Sequence, residues 1–269
     1  MMYSILDPKN DFVFKNIFGT EKNSDILISF LNAVIKPEKP INKIEIKNTD
    51  ISKEYEEDKY SILDVKALTN NNERINIEIQ LRNEYDMIKR SLYYWSKLYT
   101  EKLSEGDKYE TLERTVCINI LNFKYLETEK FHSIYRLKET SANKELTDVE
   151  EIHFIEIPKL EETEVDDLSI WIEFLKNPNS IKVIDAESSM KEIQKAKKEL
   201  VRISNDEKAR AIYDMREKAR MDKISAMATA KQQGKIEVAK NLIDVLDDEA
   251  IALATGLDIN IIKELRKSI

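Results

Sequence analysis

Seven residues, Ile75-Asn76-Ile77-Glu78-Ile79-Gln80-Leu81, alternate without a break between apolar and polar. In a strand, successive side chains point to opposite faces. Ile75, Ile77, Ile79 and Leu81 therefore share one face, and Asn76, Glu78 and Gln80 share the other. A second strand-like run, residues 60–68, comes before it, with Thr69-Asn70-Asn71-Asn72-Glu73 between the two. Asparagine tolerates left-handed backbone angles, so three in a row between two strands predict a hairpin. If its centre is Asn71, position 64 pairs with position 78, and Asp64 faces Glu78 across the ladder. Like charges directly opposite each other weaken a sheet, a cost that a cation between them would relieve. Oxygen-only ligands select a hard divalent ion, Mg2+ or Mn2+. Such an ion lowers the pKa of a bound water and stabilises charge on a phosphate under attack. The other reading is a surface Asp and Glu that never meet, and spacing alone leaves both open.

The flanking segments make this an α/β chain. Asp7-Pro8 reads as an N-cap followed by proline at the first helical position. It opens a helix with Val13, Phe14, Ile17 and Phe18 on its apolar face, closed by Gly19. Ser24 caps a second helix with Leu27, Phe30, Leu31 and Val34 at helical spacing, which Pro37 stops. Residues 43–46 form a short strand. After the hairpin a helix is expected over residues 86–103, with Ile88, Leu92, Trp95, Leu98 and Tyr99 on one face. Residues 116–123, 131–139 and 152–157 read as strands, and residues 169–175 begin another helix. The single cysteine, Cys117, sits in an apolar run and suits a core thiol in a reduced compartment.

Beyond about residue 185 the composition changes to charged and Ala/Met-rich. A net charge of −8 for the whole chain hides this asymmetry: residues 190–235 carry 13 Lys/Arg against 7 Asp/Glu, a local +6, leaving −14 elsewhere. That stretch reads either as a phosphate-contacting arm or as a solvated helix face. Ile212, Met215, Ala219, Ile224 and Met227 form an irregular stripe on it, without sustained heptads. A last unit, residues 236–269, has a helix, the Gly256 turn, an Asp258 cap and a final helix. It holds 4 basic and 7 acidic residues, a poor footprint for a duplex, so packing or oligomerisation is as good a reading as DNA contact. Three regions are expected: an α/β domain over 1–185, a basic helical arm over 186–235 and a compact helical unit over 236–269. No apolar stretch is long enough to span a membrane. The N-terminus has neither a basic nor an apolar signal region, which suits a cytoplasmic protein.

His132 and His153 are the only histidines and stand apart from any second ligand at zinc spacing. No Gly-rich phosphate loop, nucleophile elbow or dinucleotide fingerprint occurs, which argues against a nucleotide cofactor.

Several segments in order carry a resemblance: Asp11 to Gly19, Leu63-Asp64-Val65, Ile77-Glu78-Ile79-Gln80, Arg90 to Tyr94-Trp95, and His153 to Leu160. Gly234-Lys235-Ile236-Glu237 and Ala254-Thr255-Gly256-Leu257 fit it as well. Together they resemble the Rpn family, the recombination-promoting nucleases and transposases of the PD-(D/E)XK superfamily. The resemblance implies a restriction-endonuclease-like core, a mixed sheet flanked by helices, followed by a helical C-terminal region. It also implies a Mg2+-dependent DNA endonuclease linked to recombination, transposition or defence against foreign DNA, acting as a homodimer. In that pattern Asp64 and Glu78 are the metal ligands. Gln80 stands where the superfamily has a lysine that orients the attacking water; glutamine lacks the charge but still donates and accepts hydrogen bonds. Asp11 matches an extra acidic residue near the metal, or is a helix-surface Asp favoured near an N-terminus. Lys15 and Arg90 are candidate substrate-binding cations, and Arg90 reads equally as a solvated arginine. The rival to the enzyme is a DNA-binding or oligomeric scaffold with an inactive nuclease fold.

Overall fold

A computed structural model describes residues 4–47, 65–83 and 85–268. Asp64 lies outside them. The chain divides into two compact units, Met1–Tyr213 and Asp214–Ile269.

The first unit is built on a six-stranded mixed sheet in the order β1-β2-β3-β4-β6-β5. Its strands are β1 (Ile44–Lys47), β2 (Val65–Thr69), β3 (Arg74–Gln80), β4 (Thr115–Leu121), β5 (His132–Tyr135) and β6 (Glu150–Glu156). β1, β2 and β3 form an antiparallel meander, β3, β4 and β6 run parallel, and β5 closes the far edge antiparallel. In the β2–β3 hairpin Val65 pairs with Ile77, Lys66 with Asn76, Ala67 with Ile75 and Leu68 with Arg74. That register is centred on Asn71, as the asparagine run predicts. Asn72 takes the left-handed turn conformation, with φ 59°.

Helices cover both faces. On one, α1 (Asp11–Phe18), α2 (Ser24–Ile35), α4 (Asp167–Lys176), α5 (Ile181–Ala186) and α6 (Lys191–Ser204) share one core with Ile75, Ile77, Ile79, Val116, Ile118 and Ile120. At its centre Phe18 stacks on Phe14 with ring centroids 4.6 Å apart and meets Phe30 and Trp171 edge-on at 5.4 and 5.6 Å. α3 (Met87–Thr100) covers the other face, where Met87, Cys117, Leu121, Ile152 and Phe154 form a smaller core.

Three local readings change. The cap of α1 is Asn10, whose side chain accepts from the Phe12 N–H, while Asp7 and Pro8 form the preceding turn. Ser24 is the first residue of α2, which continues from a short 3-10 turn, Glu21–Asn23; α2 ends at Lys36 in the left-handed region, φ 48°. The buried face of α3 is Met87, Ser91, Tyr94 and Leu98, whereas Ile88 and Leu92 stay close to half exposed. A polar residue, Ser91, sits on that face because Asn119 is there to receive it, a preference that apolar periodicity does not register.

The break between units falls after Tyr213 rather than near residue 185, because α6 is not a free arm. Ile193, Ala196, Leu200 and Ile203 join the main core, and the Leu6 N–H donates to Ser204 Oγ at 3.0 Å.

In the second unit, Ala239 and Ile243 pack with Ile251 of α8 (Asp248–Thr255), Leu257, and Ile262 of α9 (Ile259–Ser268). Asp247 caps α8 through the Ala250 N–H, and Gly256 ends it at φ 65°, where a side chain would be strained. Asp258 accepts from the Asn260 N–H at 2.8 Å, as expected of the cap of the last helix. Among the described residues no helix is long and apolar enough to cross a membrane.

Candidate active site

β3 is a central strand, and its alternation sends Glu78 and Gln80 to the face that α3 covers. Glu78 is 2% exposed, and its neighbour across the parallel ladder is Asn119 of β4. Gln80 Nε2 donates to Glu78 Oε2 at 3.3 Å, and Arg90 Nη2 lies 3.5 Å from the same oxygen. Arg90 belongs to the first turn of α3, and its guanidinium also lies over the Tyr94 ring, 5.5 Å from the centroid. It is therefore an ion-paired, mostly buried arginine rather than a solvated one. One wall of the site is polar and fixed: Ser91 Oγ donates to Asn119 Oδ1 at 2.8 Å, and Asn119 Nδ2 donates to the His153 carbonyl at 3.0 Å. Burial pushes the Cys117 thiol well above its usual range, and the Glu78 charge adds to that, which suits a core thiol.

The structure thus brings together Glu78, Gln80 and Arg90. Asp11 and Lys15 are half-buried, one turn apart on α1, whose buried side chains belong to the core of the opposite face. α1 reaches the start of β2 at Gly19, where an added Cβ would come 3.2 Å from Val65 Cγ2 and 2.8 Å from the Lys15 carbonyl. Only glycine allows that close approach without displacing a neighbour. Among the described residues no group of three or more His, Cys, Asp or Glu is placed to hold a metal ion. Glu78 and the Gln80 side-chain carbonyl are oxygen donors, the chemistry a hard divalent ion takes. Sequence reasoning did not single out Ser91 and Asn119. The signal was one asparagine inside the apolar run Val116-Cys117-Ile118-Asn119-Ile120-Leu121, a position where a buried amide needs partners.

A second buried charge cluster lies at β5 and β6, on the face of the main core. His153 Nε2 is 2.7 Å from Glu151 Oε1, and its Nδ1 is 2.8 Å from His132 Nε2. Glu151 also bonds Arg114 at 2.9 Å and Arg136 at 2.5 Å. Burial alone would raise the Glu151 carboxyl, but the His153 hydrogen bond and the His153, Arg114 and Arg136 charges outweigh it and bring the pKa down to about 2. Burial and the neighbouring His153 lower His132 to about 4.

A meander feeding a parallel crossover, with Glu78 and Gln80 on its central strand and helices on both faces, is the architecture of a PD-(D/E)XK nuclease. The family model of the PD-(D/E)XK nuclease family transposases matches residues 8–230, and the chain belongs to that family. No curated protein and no solved structure matches it.

Proposed function

We propose that this chain hydrolyses phosphodiester bonds of DNA with a divalent ion, Mg2+ or Mn2+, held by Glu78 and Asp64. The observation that carries the reading is the buried Glu78 carboxylate, aimed with Gln80 into the α3-covered face of the central strand. The hairpin register supports Asp64 as its partner: continued by one pair beyond Val65 and Ile77, it would set Asp64 opposite Glu78. When bound, the ion would lower the pKa of a water and neutralise phosphate charge. The rest falls to the chain. Gln80 orients the attacking water through its amide, with the Glu78 bond holding that amide in place. Arg90 offers guanidinium N–H groups to a phosphate oxygen beside Glu78, where a planar donor fork fits. The roles of Asp11 as an additional acid and of Lys15 as a phosphate-binding cation rest on the family resemblance alone, since α1 packs into the core of the opposite face.

One observation favours the rival, a DNA-binding or scaffold protein without activity. Arg90 already supplies Glu78 with a counter-charge, so the carboxylate is compensated without a metal. Supercoiled plasmid separates the two. The enzyme reading expects conversion with Mg2+, none with chelator, and none by Asp64→Ala or Glu78→Gln. Plasmid left intact by a folded wild-type protein with Mg2+ or Mn2+ would sink it. Light scattering on the same preparation tests the homodimer that paired cuts would need.

A further inference from the structure

The hairpin carries a second set of charges that the proposed reaction does not use. Lys47 of β1 pairs directly with Lys66 of β2, and Lys66 with Asn76 of β3. Paired residues share a face of a sheet, so both lysines lie on the α3-covered face. Their row is two residues from Glu78, about 7 Å along β3. With Arg74 and with Lys102, just past the end of α3, they line a cavity of roughly 310 Å³. Among the described residues the lining holds these four cations and one carboxylate, Glu101. Lys66 and Arg74 are 8% and 6% exposed, and both bond to that same carboxylate. The other arm of Arg74 reaches Glu113 at 2.9 Å, and its buried Nε has no hydrogen-bond partner among the described residues. Glu45, outside the lining, pairs with Lys47 and faces Lys102.

Like charges directly opposite on a ladder destabilise it, and among the described residues the four lining cations meet three carboxylates, Glu101, Glu113 and Glu45, which leaves a positive excess. The oxyanion of a phosphate in the cavity would offset that excess and give the buried Arg74 Nε an acceptor. We propose that the cavity binds a phosphate group, and that this phosphate belongs to the backbone of the nucleic acid on which Glu78 acts. The identity of the strand rests on the nuclease reading above. Its adjacency to Glu78, on the same face and one short step along β3, is what assigns the phosphate to a strand that continues through the site.

The test uses the full chain in chelator, so that binding is read without cleavage. Affinity for a labelled random-sequence duplex is followed by fluorescence anisotropy across a salt series for wild type, the Lys47→Gln/Lys102→Gln double variant, and Lys176→Gln. Lys176 is an exposed lysine of α4, the control for simple loss of a surface charge. The double variant is expected to bind roughly tenfold more weakly, with the slope of log K against log salt reduced by about 2, and the control to match wild type. Both substituted lysines are at least partly exposed, and melting curves check that the fold is kept. Wild-type affinity and slope in the double variant would overturn the proposal. Calorimetry with inorganic pyrophosphate separates the sources. If the double variant loses pyrophosphate binding but holds the duplex like wild type, the site serves a free phosphate compound and the strand assignment fails. Plasmid cleavage with Mg2+ is scored separately: a cleavage-inert wild type overturns the nuclease reading, and the salt slope still decides the cavity.

Discussion

A carboxylate with 2% exposure beside an arginine costs free energy if either partner is removed, because the other is left charged in a poorly solvated place. Glu78→Gln tests this alongside catalysis. It keeps the shape of the side chain and its contact with Gln80 but removes the charge that Arg90 meets at 3.5 Å. Urea unfolding should show a loss of about 1–3 kcal/mol, below the usual figure for a fully buried pair because Arg90 keeps some solvent contact. Plasmid cleavage should fall to background in the same variant. Unchanged stability would mean that the pair contributes little to the fold. The buried histidines give a second residue-level expectation. His132 has a folded pKa near 4 against an ordinary value of 6.5, so the unfolded chain binds the proton more tightly. Stability is then full above about pH 6.5 and declines as pH falls toward 4, by up to about 3 kcal/mol. His132→Gln should flatten that limb in urea titrations at successive pH values. A steeper acid loss through pH 4.5 to 2, where Glu151 protonates, should remain in both proteins. An identical pH 6.5 to 4 limb in the variant would assign the loss to other groups.

At the scale of elements, α3 decides how Glu78 is enclosed, and its orientation is set by polar as well as apolar contacts. Ser91 is 1% exposed, and its hydroxyl, with one proton to give, lies 2.8 Å from both the Met87 carbonyl and Asn119 Oδ1. Ser91→Ala leaves a buried amide oxygen short of a donor and should cost about 1–2 kcal/mol by urea unfolding. Ile88→Ser, on the face that apolar periodicity selects, should cost less than about 1 kcal/mol, since Ile88 is 47% exposed. A larger loss at Ile88 than at Ser91 would contradict the orientation of the helix. This contrast shows what was legible in the amino-acid pattern and what was not. Strict alternation and the Asn turn specify β3, its faces and the hairpin register, because a one-residue slip would bury Glu78 and Gln80 in the main core. The rotation of α3 was not legible, because it depends on Asn119, far away in sequence, rather than on the helix's own pattern. Placement of Glu78 beside Gln80 follows from the two-residue spacing, whereas the Arg90 pairing needed the tertiary fold. Asp64 lies outside the described residues, and its role stays a proposal carried by register alone.

For the whole molecule the question is what the helical C-terminal third adds to the nuclease core. α6 is integral to the first unit, so a chain ending at residue 185 would expose the surface that Ile193, Ala196, Leu200 and Ile203 cover. Each such contact is worth roughly 1–3 kcal/mol, a large share of the stability of any domain. A chain ending at Tyr213 keeps these contacts and should unfold in one cooperative transition, while one ending at residue 185 should be insoluble or lack it. The second unit is poorly suited to reading DNA. Of the basic residues near the end of α9, Arg266 is spent internally, bonding Asp248 at 2.7 Å and the Ile243 and Leu246 carbonyls at 2.6 and 2.7 Å. The first turn of α9, the part a recognition helix would present to bases, reads Ile259, Asn260 and Ile261, and Ile262 is buried in the unit's own core. The exposed side chains here are apolar instead: Leu253 at 89%, Val245 at 75% and Val238 at 50%. On α7 (Glu207–Leu242), Met221 and Met227 are likewise more than half exposed, and Ala239 is that helix's one buried residue among those described. Apolar surface of this kind favours association with another copy over contact with a polyanion. Deleting residues 236–269 should therefore change the molecular mass measured by light scattering, while affinity for random duplex DNA changes by less than about threefold, within roughly 0.7 kcal/mol. If instead the mass stays the same and duplex affinity collapses, the unit contacts DNA, and association must be sought elsewhere in the chain.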